Sequence, residues 1–138
     1  MNIVIDTREK RPYEFENAVR KALPAGDYSI EGCETQIAIE RKTLSDWIST
    51  VVHNRLRFAR ELEKLQNYAY AAVVIEASVV DILSGCYISQ IKPAALWALT
   101  CSIILKYRPV QVLFAHDRAG AKTLTKTLLT KFGEKYAS

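Results

Sequence analysis

Residues 26–46 read Gly26-Asp27-Tyr28-Ser29-Ile30-Glu31-Gly32-Cys33-Glu34-Thr35-Gln36-Ile37-Ala38-Ile39-Glu40-Arg41-Lys42-Thr43-Leu44-Ser45-Asp46, and the rest of the chain is arranged around them. Two short apolar runs, Tyr28-Ser29-Ile30 and Ile37-Ala38-Ile39, flank a turn-rich segment with a glycine near its start, which is the pattern of an antiparallel hairpin. With the turn centred between Cys33 and Glu34, Asp27 falls opposite Glu40 and Ile30 opposite Ile37. Opposite residues share a face and strand side chains alternate. Asp27, Glu40 and Lys42 therefore point one way, and Ile37, Ile39 and Arg41 the other. Two carboxylates in close proximity repel unless a cation sits between them. A hard divalent ion such as Mg2+ is bound by one or two carboxylates plus substrate phosphates. A neighbouring lysine then orients water or neutralises charge on a scissile phosphate.

The bulk properties bound the answer. A length of 138 residues suits one domain with a real core, so residues 1–138 are read as a single unit. With 49% hydrophobic and 25% charged residues the chain is neither disordered nor membrane-embedded. No apolar run approaches the roughly 18 residues of a spanning helix. The N-terminus enters a strand directly, without a signal-peptide pattern. Three cysteines, an odd number without metal-like spacing, suggest reduced thiols inside a cell. A net charge of +4 suits a polyanionic partner but does not by itself select one.

Outward from the hairpin, Asn2 to Asp6 reads as a buried strand ending in an acid, where open α/β sheets place their sites. Asp6 either serves such a site or caps the charged turn that follows. Val19 to Leu23 reads as a strand or the end of a helix, stopped by Pro24. Thr43-Leu44-Ser45-Asp46 has the form of a capping box, opening a helix with Leu44, Trp47, Ile48, Val51 and Val52 at helical spacing. Phe58, Leu62 and Leu65 form one face of a second helix, with Arg57, Arg60, Glu61 and Lys64 away from it; for Arg60 and Lys64 a solvated face is the better reading. His53 reads as a surface residue near a helix end. Ala71 to Ala77 is a central buried strand. Ser78 to Asp81 is a second capping box, and Gly85 ends its helix. A helix from Ala94 to about Tyr107, apolar on most sides, a strand over Val110–Ala115 and a helix capped by Asp117 complete the chain. That last helix turns Leu124, Leu128 and Phe132 inward, with its lysines outward. Strands alternating with helices give an α/β sandwich around a mixed central sheet.

The spacing Gly26-Asp27 … Glu40-Arg41-Lys42 … Asp46, with Val4-Ile5-Asp6-Thr7-Arg8-Glu9 before it and Val73-Val74-Ile75-Glu76 after it, resembles the signature of the xeroderma pigmentosum group F (XPF) nuclease family. The resemblance covers nearly the whole chain and implies the restriction-endonuclease-like fold, a three-layer sandwich whose sites pair an Asp with a Glu-x-Lys. It implies a metal-dependent DNA endonuclease, hydrolysing phosphodiesters in branched DNA (flap, fork or junction) in repair or recombination. Asp27 and Glu40 would hold Mg2+ or Mn2+ with the Arg41 carbonyl. Lys42 would position water. Asp6 would be catalytic or, like Glu9, complete the metal shell. Arg8, Glu9, Arg41 and Asp46 would support the site, and Arg8, Arg41 and Arg55 or Arg57 would meet DNA phosphates.

Family nuclease domains tend to pair through their later helices, so Ala94–Tyr107 and Asp117–Tyr136 are candidate surfaces for a homodimer or a protein partner. Within these 138 residues, the helicase or helix-hairpin-helix modules of larger relatives are not expected. A DNA-associated location in the cytoplasm or nucleoid is the corresponding expectation. The alternative is a catalytically silent DNA-binding or scaffolding module of the same fold that needs a partner. The filled acid and lysine positions argue against that alternative.

Overall fold

Both faces of the predicted strands carry apolar side chains, so the sheet they form has to be covered on both sides. The computed structural model, which describes residues 1–136, shows how. Strands β1 (Ile3–Ile5), β2 (Ala18–Arg20), β3 (Tyr28–Ile30), β4 (Ile37–Lys42), β5 (Tyr70–Ile75) and β6 (Gln111–Phe114) form one mixed sheet in the order β2-β1-β3-β4-β5-β6. β3 runs antiparallel to both β1 and β4, while the pairs β1–β2, β4–β5 and β5–β6 are parallel. The continuous apolar run of β5 lies between two parallel neighbours and is buried from Ala71 to Ile75, as a central strand requires.

Alternation along the strands sorts the core into two layers. Ile5, Tyr28, Ile30, Ile37, Ile39 and Val74 face helix α5 (Arg118–Tyr136), meeting its Ala121, Leu129 and Phe132. Ala38, Val73 and Ile75 face the opposite way. There they pack against α1 (Leu44–His53), α2 (Arg55–Leu65) and α4 (Pro93–Lys106) through Trp47, Val51, Phe58, Leu62 and Leu96. A short α3 (Val79–Leu83) precedes α4. The result is helix, sheet, helix: an α/β three-layer sandwich with a mixed central sheet. Trp47 Nε1 donates to Thr100 Oγ1 at 3.0 Å, tying α1 to α4 where both side chains are buried.

Several local readings resolve. Residues 18–20 form a strand and not a helix end, because pairing with β1 satisfies their backbone groups. The box at Ser78 is complete, with both reciprocal bonds to Asp81. At Thr43 only half forms. The Thr43 side chain accepts from Asp46 N at 3.0 Å, and the Asp46 carboxylate stays exposed instead of turning back. In α5 the fully buried line is Ala121, Thr125, Leu129 and Phe132, with Leu124 and Leu128 at its edges. Small side chains at 121 and 125 let the helix sit close to the sheet.

Candidate active site

The β3–β4 hairpin builds the site. Its register pairs Tyr28 with Ile39, which sets Asp27 beside Glu40 just beyond the end of β3. Gly26 makes the approach possible. Its φ is +77°, and a Cβ there would sit 3.0 Å from the Ala38 Cβ. Asp27 N donates to Ile39 O at 2.8 Å, and Asp27 Oδ2 accepts from Arg41 N at 2.7 Å. The second bond fixes the carboxylate against β4. Lys42 Nζ lies 4.0 Å from Glu40 Oε2 and over the Phe58 ring, 5.4 Å from its centroid.

Asp27 and Glu40 lie side by side, close enough for their carboxyls to share a hydrogen bond when one of them is protonated. Burial first, then the Asp27 charge and the bond to it, hold Glu40 well above the usual carboxylate range. Burial also raises Asp27, although bonds from Glu40 and from the Arg41 N–H pull it partly back. The direction for both acids is upward. Lys42 opposes the rise at each acid without cancelling it. Glu40, raised by burial and the Asp27 charge, and Asp27, raised by burial and the Glu9 charge, are both short of positive charge.

Asp6 borders the same cleft as Asp27 and Glu40, but protein donors occupy its oxygens. Oδ2 accepts from Arg8 Nε at 2.8 Å and Arg8 N at 3.2 Å, while Oδ1 accepts from Leu23 N at 2.8 Å and Arg8 Nη2 at 3.3 Å. Burial works against its charge, yet these bonds outweigh burial and lower its pKa. Asp6 thus holds the turn and Arg8, and shares no oxygen with the acid pair. Glu9 points toward Arg41, at 3.4 Å from Nη1, and accepts from the Tyr28 hydroxyl at 3.4 Å. Asp46 lines a cleft of about 470 Å³ together with Arg8, Lys10, Arg11, Asp27, Glu40 and Lys42.

Arg41, expected to support the site or grip phosphate, stands with its side chain in the supporting position. Its side chain leaves the opposite face of β4, is 8% exposed, and bonds Glu76 Oε2 through Nε at 2.8 Å. Burial disfavours the guanidinium charge, but Glu76 and Glu9 more than restore it, so its pKa moves up. Period-two alternation puts residue 41 behind the site while its backbone stays in it.

Arg55 and Arg57 also separate. Two residues apart on a helix they lie on different sides. Arg57 borders the acid clefts beside Glu40 and Glu61, whereas Arg55 rims an apolar groove between α2 and α4. Glu61 and Lys64, one and two turns along from Arg57, join the cleft with Asp6, Asp27 and Glu40. Lys64 reads from sequence as a solvated residue, and the i, i+4 and i+7 spacing from Arg57 is the signal that could have placed it.

The donors fit a hard divalent cation. Two carboxylates meet, and Arg41 O, alternating with Lys42 O, points to the same side of β4 as Ile39 O, the acceptor for Asp27 N. Among the described residues no three His, Cys, Asp or Glu side chains form a metal-binding group. The protein-side set is therefore small and all oxygen, with coordination left for water and phosphate, the pattern such ions take at phosphate-processing sites. Basic residues border these clefts on both sides: Arg8, Lys10, Arg11 and Lys42 on one, Arg57 and Lys64 on the other.

Comparison with known proteins gives the family and the fold. The family model described as "ERCC4 domain" matches residues 5–128. A protein of Methanocaldococcus jannaschii that carries the name of an ATP-dependent RNA helicase is 26% identical over 139 residues. That match takes in 98% of this chain and 16% of the relative, so the chain spans about a sixth of the relative's length. XPF from Aeropyrum pernix shares the fold, with a TM-score of 0.71 at 23% identity over 94% of this chain and 65% of that one. The same protein in complex with DNA gives a TM-score of 0.73 at 22% identity, covering 99% of this chain and 67% of that one.

Proposed function

The chain belongs to the ERCC4 domain family, a family of DNA-nuclease-type domains, and from that premise we propose that it is a Mg2+- or Mn2+-dependent endonuclease acting on branched DNA in repair or recombination. Residues 1–138 are read as a single nuclease domain. The observation that carries this reading is the half-buried Asp27–Glu40 pair, which lacks positive charge where basic side chains border an open cleft.

In this mechanism Asp27, Glu40 and the Arg41 carbonyl would hold the ion, which when bound would supply Lewis acidity toward a water and toward the charge at phosphorus. Lys42 stands on the same face as both acids, with its ammonium kept near Glu40 by the Phe58 ring. From there it donates to the attacking water or to a phosphate oxygen. Arg8 projects from the Asp6 anchor with its side chain 72% exposed, free enough to meet the DNA backbone. Arg57 and Lys64 grip phosphates from the other wall, and Asp46 borders the entrance. Asp6 and Glu9 hold Arg8 and Arg41 in place. A second copy of the chain or a protein partner covers α4, where Trp97, Leu99, Ile103 and Ile104 are only partly buried and Leu105 is exposed.

The test is cleavage of labelled single-stranded, duplex, flap, fork and four-way DNA with Mg2+ and separately Mn2+, against Glu40→Ala. Metal-dependent cutting of branched substrates that the variant lacks supports the reading. Activity retained by Glu40→Ala refutes the site, and binding without cutting favours a silent scaffold.

A further inference from the structure

Glu76 follows β5 and takes no part in the acid pair, yet it grips β4 twice. Its backbone N–H donates to Lys42 O at 2.8 Å, and its side chain, 7% exposed, takes the Arg41 guanidinium. Oε2 accepts from Arg41 Nε at 2.8 Å and Oε1 from Arg41 Nη2 at 3.4 Å. The Tyr13 hydroxyl donates to Oε2 as well, and Arg118 Nη1 stands 3.7 Å away. Arg118 in turn donates through Nη2 to Arg11 O at 2.9 Å and Pro12 O at 3.2 Å. The loop after β1, the start of α5 and the end of β4 thus converge on one carboxylate.

We propose that Glu76 is a positioning residue for the two-carboxylate site, acting through Arg41. Residue 41 lies between Glu40 and Lys42, and its amide holds Asp27 Oδ2 at 2.7 Å. Whatever sets the Arg41 backbone sets all three site side chains. Arg41 and Arg118 both lie against the Tyr13 ring, at 5.5 and 4.8 Å from its centroid, and these like charges share Glu76 as counter-ion. Without that carboxylate, Arg41 keeps only Glu9, at 3.4 Å. A guanidinium 8% exposed and so poorly paired moves toward water, and β4 moves with it. Glu76 touches neither acid, and β4 stands between its side chain and the acid cleft, so its effect reaches the site only through Arg41 and the β4 backbone.

The part concerning metal rests on the proposed function; the part concerning Arg41 does not. The experiment makes Glu76→Gln, Arg41→Lys and the double variant in the full chain. It reads the hydrogen exchange of the Arg41 amide by NMR and Mn2+ affinity by electron paramagnetic resonance. Glu76→Gln should speed Arg41 exchange and weaken Mn2+ binding about tenfold, the scale of outer-shell changes at metal sites, with circular dichroism unchanged. The double variant should be no worse than the stronger single one, because both changes break one link. Glu76→Asp, which keeps the charge, guards against unfolding of the glutamine variant and should show the same effects at smaller size. Unchanged Arg41 exchange, or losses that simply add in the double variant, overturns the proposal. Should the wild type bind no Mn2+, the metal reading fails, and Arg41 exchange still decides the positioning.

Discussion

Replacing Glu40 with glutamine is expected to stabilise the protein without metal and to leave it less stable than wild type with metal. The acid pair is the reason. Two full charges about 4 Å apart in surroundings of effective dielectric about 20 repel by roughly 4 kcal/mol. The metal-free pair escapes part of this by keeping a proton, and both acids stand above their ordinary values: Glu40 through burial and the Asp27 charge, Asp27 through burial and the Glu9 charge. Glutamine keeps the shape and can still donate to Asp27, so the remaining strain of about 1–2 kcal/mol should appear as added stability. For a domain of this size that is a rise of roughly 4–8 °C in melting temperature. Metal reverses the order. Bound at a hundred times its dissociation constant, a cation adds about 2.7 kcal/mol to the wild type and next to nothing to a variant that has lost a ligand.

The pH dependence supplies an internal control. Folded-state values above the ordinary 3.8 and 4.5 mean that the folded chain keeps a proton which the unfolded chain has released. The stability this pair contributes is fully present below those ordinary values and is lost as pH rises through the raised folded ones. Thermal melts in chelator and in Mg2+ from about pH 5 to about pH 8 read both effects. The wild type in chelator should lose stability with rising pH more steeply than Glu40→Gln. Identical melts in chelator, or equal stabilisation of both proteins by Mg2+, would refute the argument.

Two further predictions follow from individual contacts. Asp6→Ala orphans the buried Leu23 amide, at about 1–3 kcal/mol, and loses an ion pair to an Arg8 that is 72% exposed, which adds no more than about 1 kcal/mol. Urea unfolding should show the sum, while Asp6→Asn should retain Mn2+ affinity; collapse of that affinity would make Asp6 a ligand. Since the Asp6 pKa is lowered on folding, its stabilisation is present above the ordinary 3.8 and lost as pH falls through the folded value. Gly26→Ala forces a side chain onto a φ of +77° and against Ala38 Cβ, at a cost of about 1–3 kcal/mol, and should weaken Mn2+ binding by shifting Asp27. An unchanged melting temperature and affinity in that variant would show that the turn relaxes freely.

What was legible in the sequence, and what was not, divides by distance along the chain. The hairpin register and the shared face of Asp27, Glu40 and Lys42 follow from alternation and one turn, all within sixteen residues, and the observed pairing of Tyr28 with Ile39 matches that register. The supporting contacts span the molecule instead: Arg41 with Glu76 across 35 residues, Tyr13 with Glu76 across 63, Arg118 with Arg11 across 107. No local periodicity encodes such pairs. They arise only when parallel β4–β5 pairing sets Glu76 beside Lys42 and when α5 returns over the sheet. Even Arg55 and Arg57, equal candidates from sequence, separate only once the face of α2 is fixed by Phe58 and Leu62. The acids carry a cost that the chain alone does not relieve, whereas the buried ions behind them have protein counter-charges. That contrast marks the Asp27–Glu40 face as the side where a ligand is expected, and the Glu76 face as the frame that holds it.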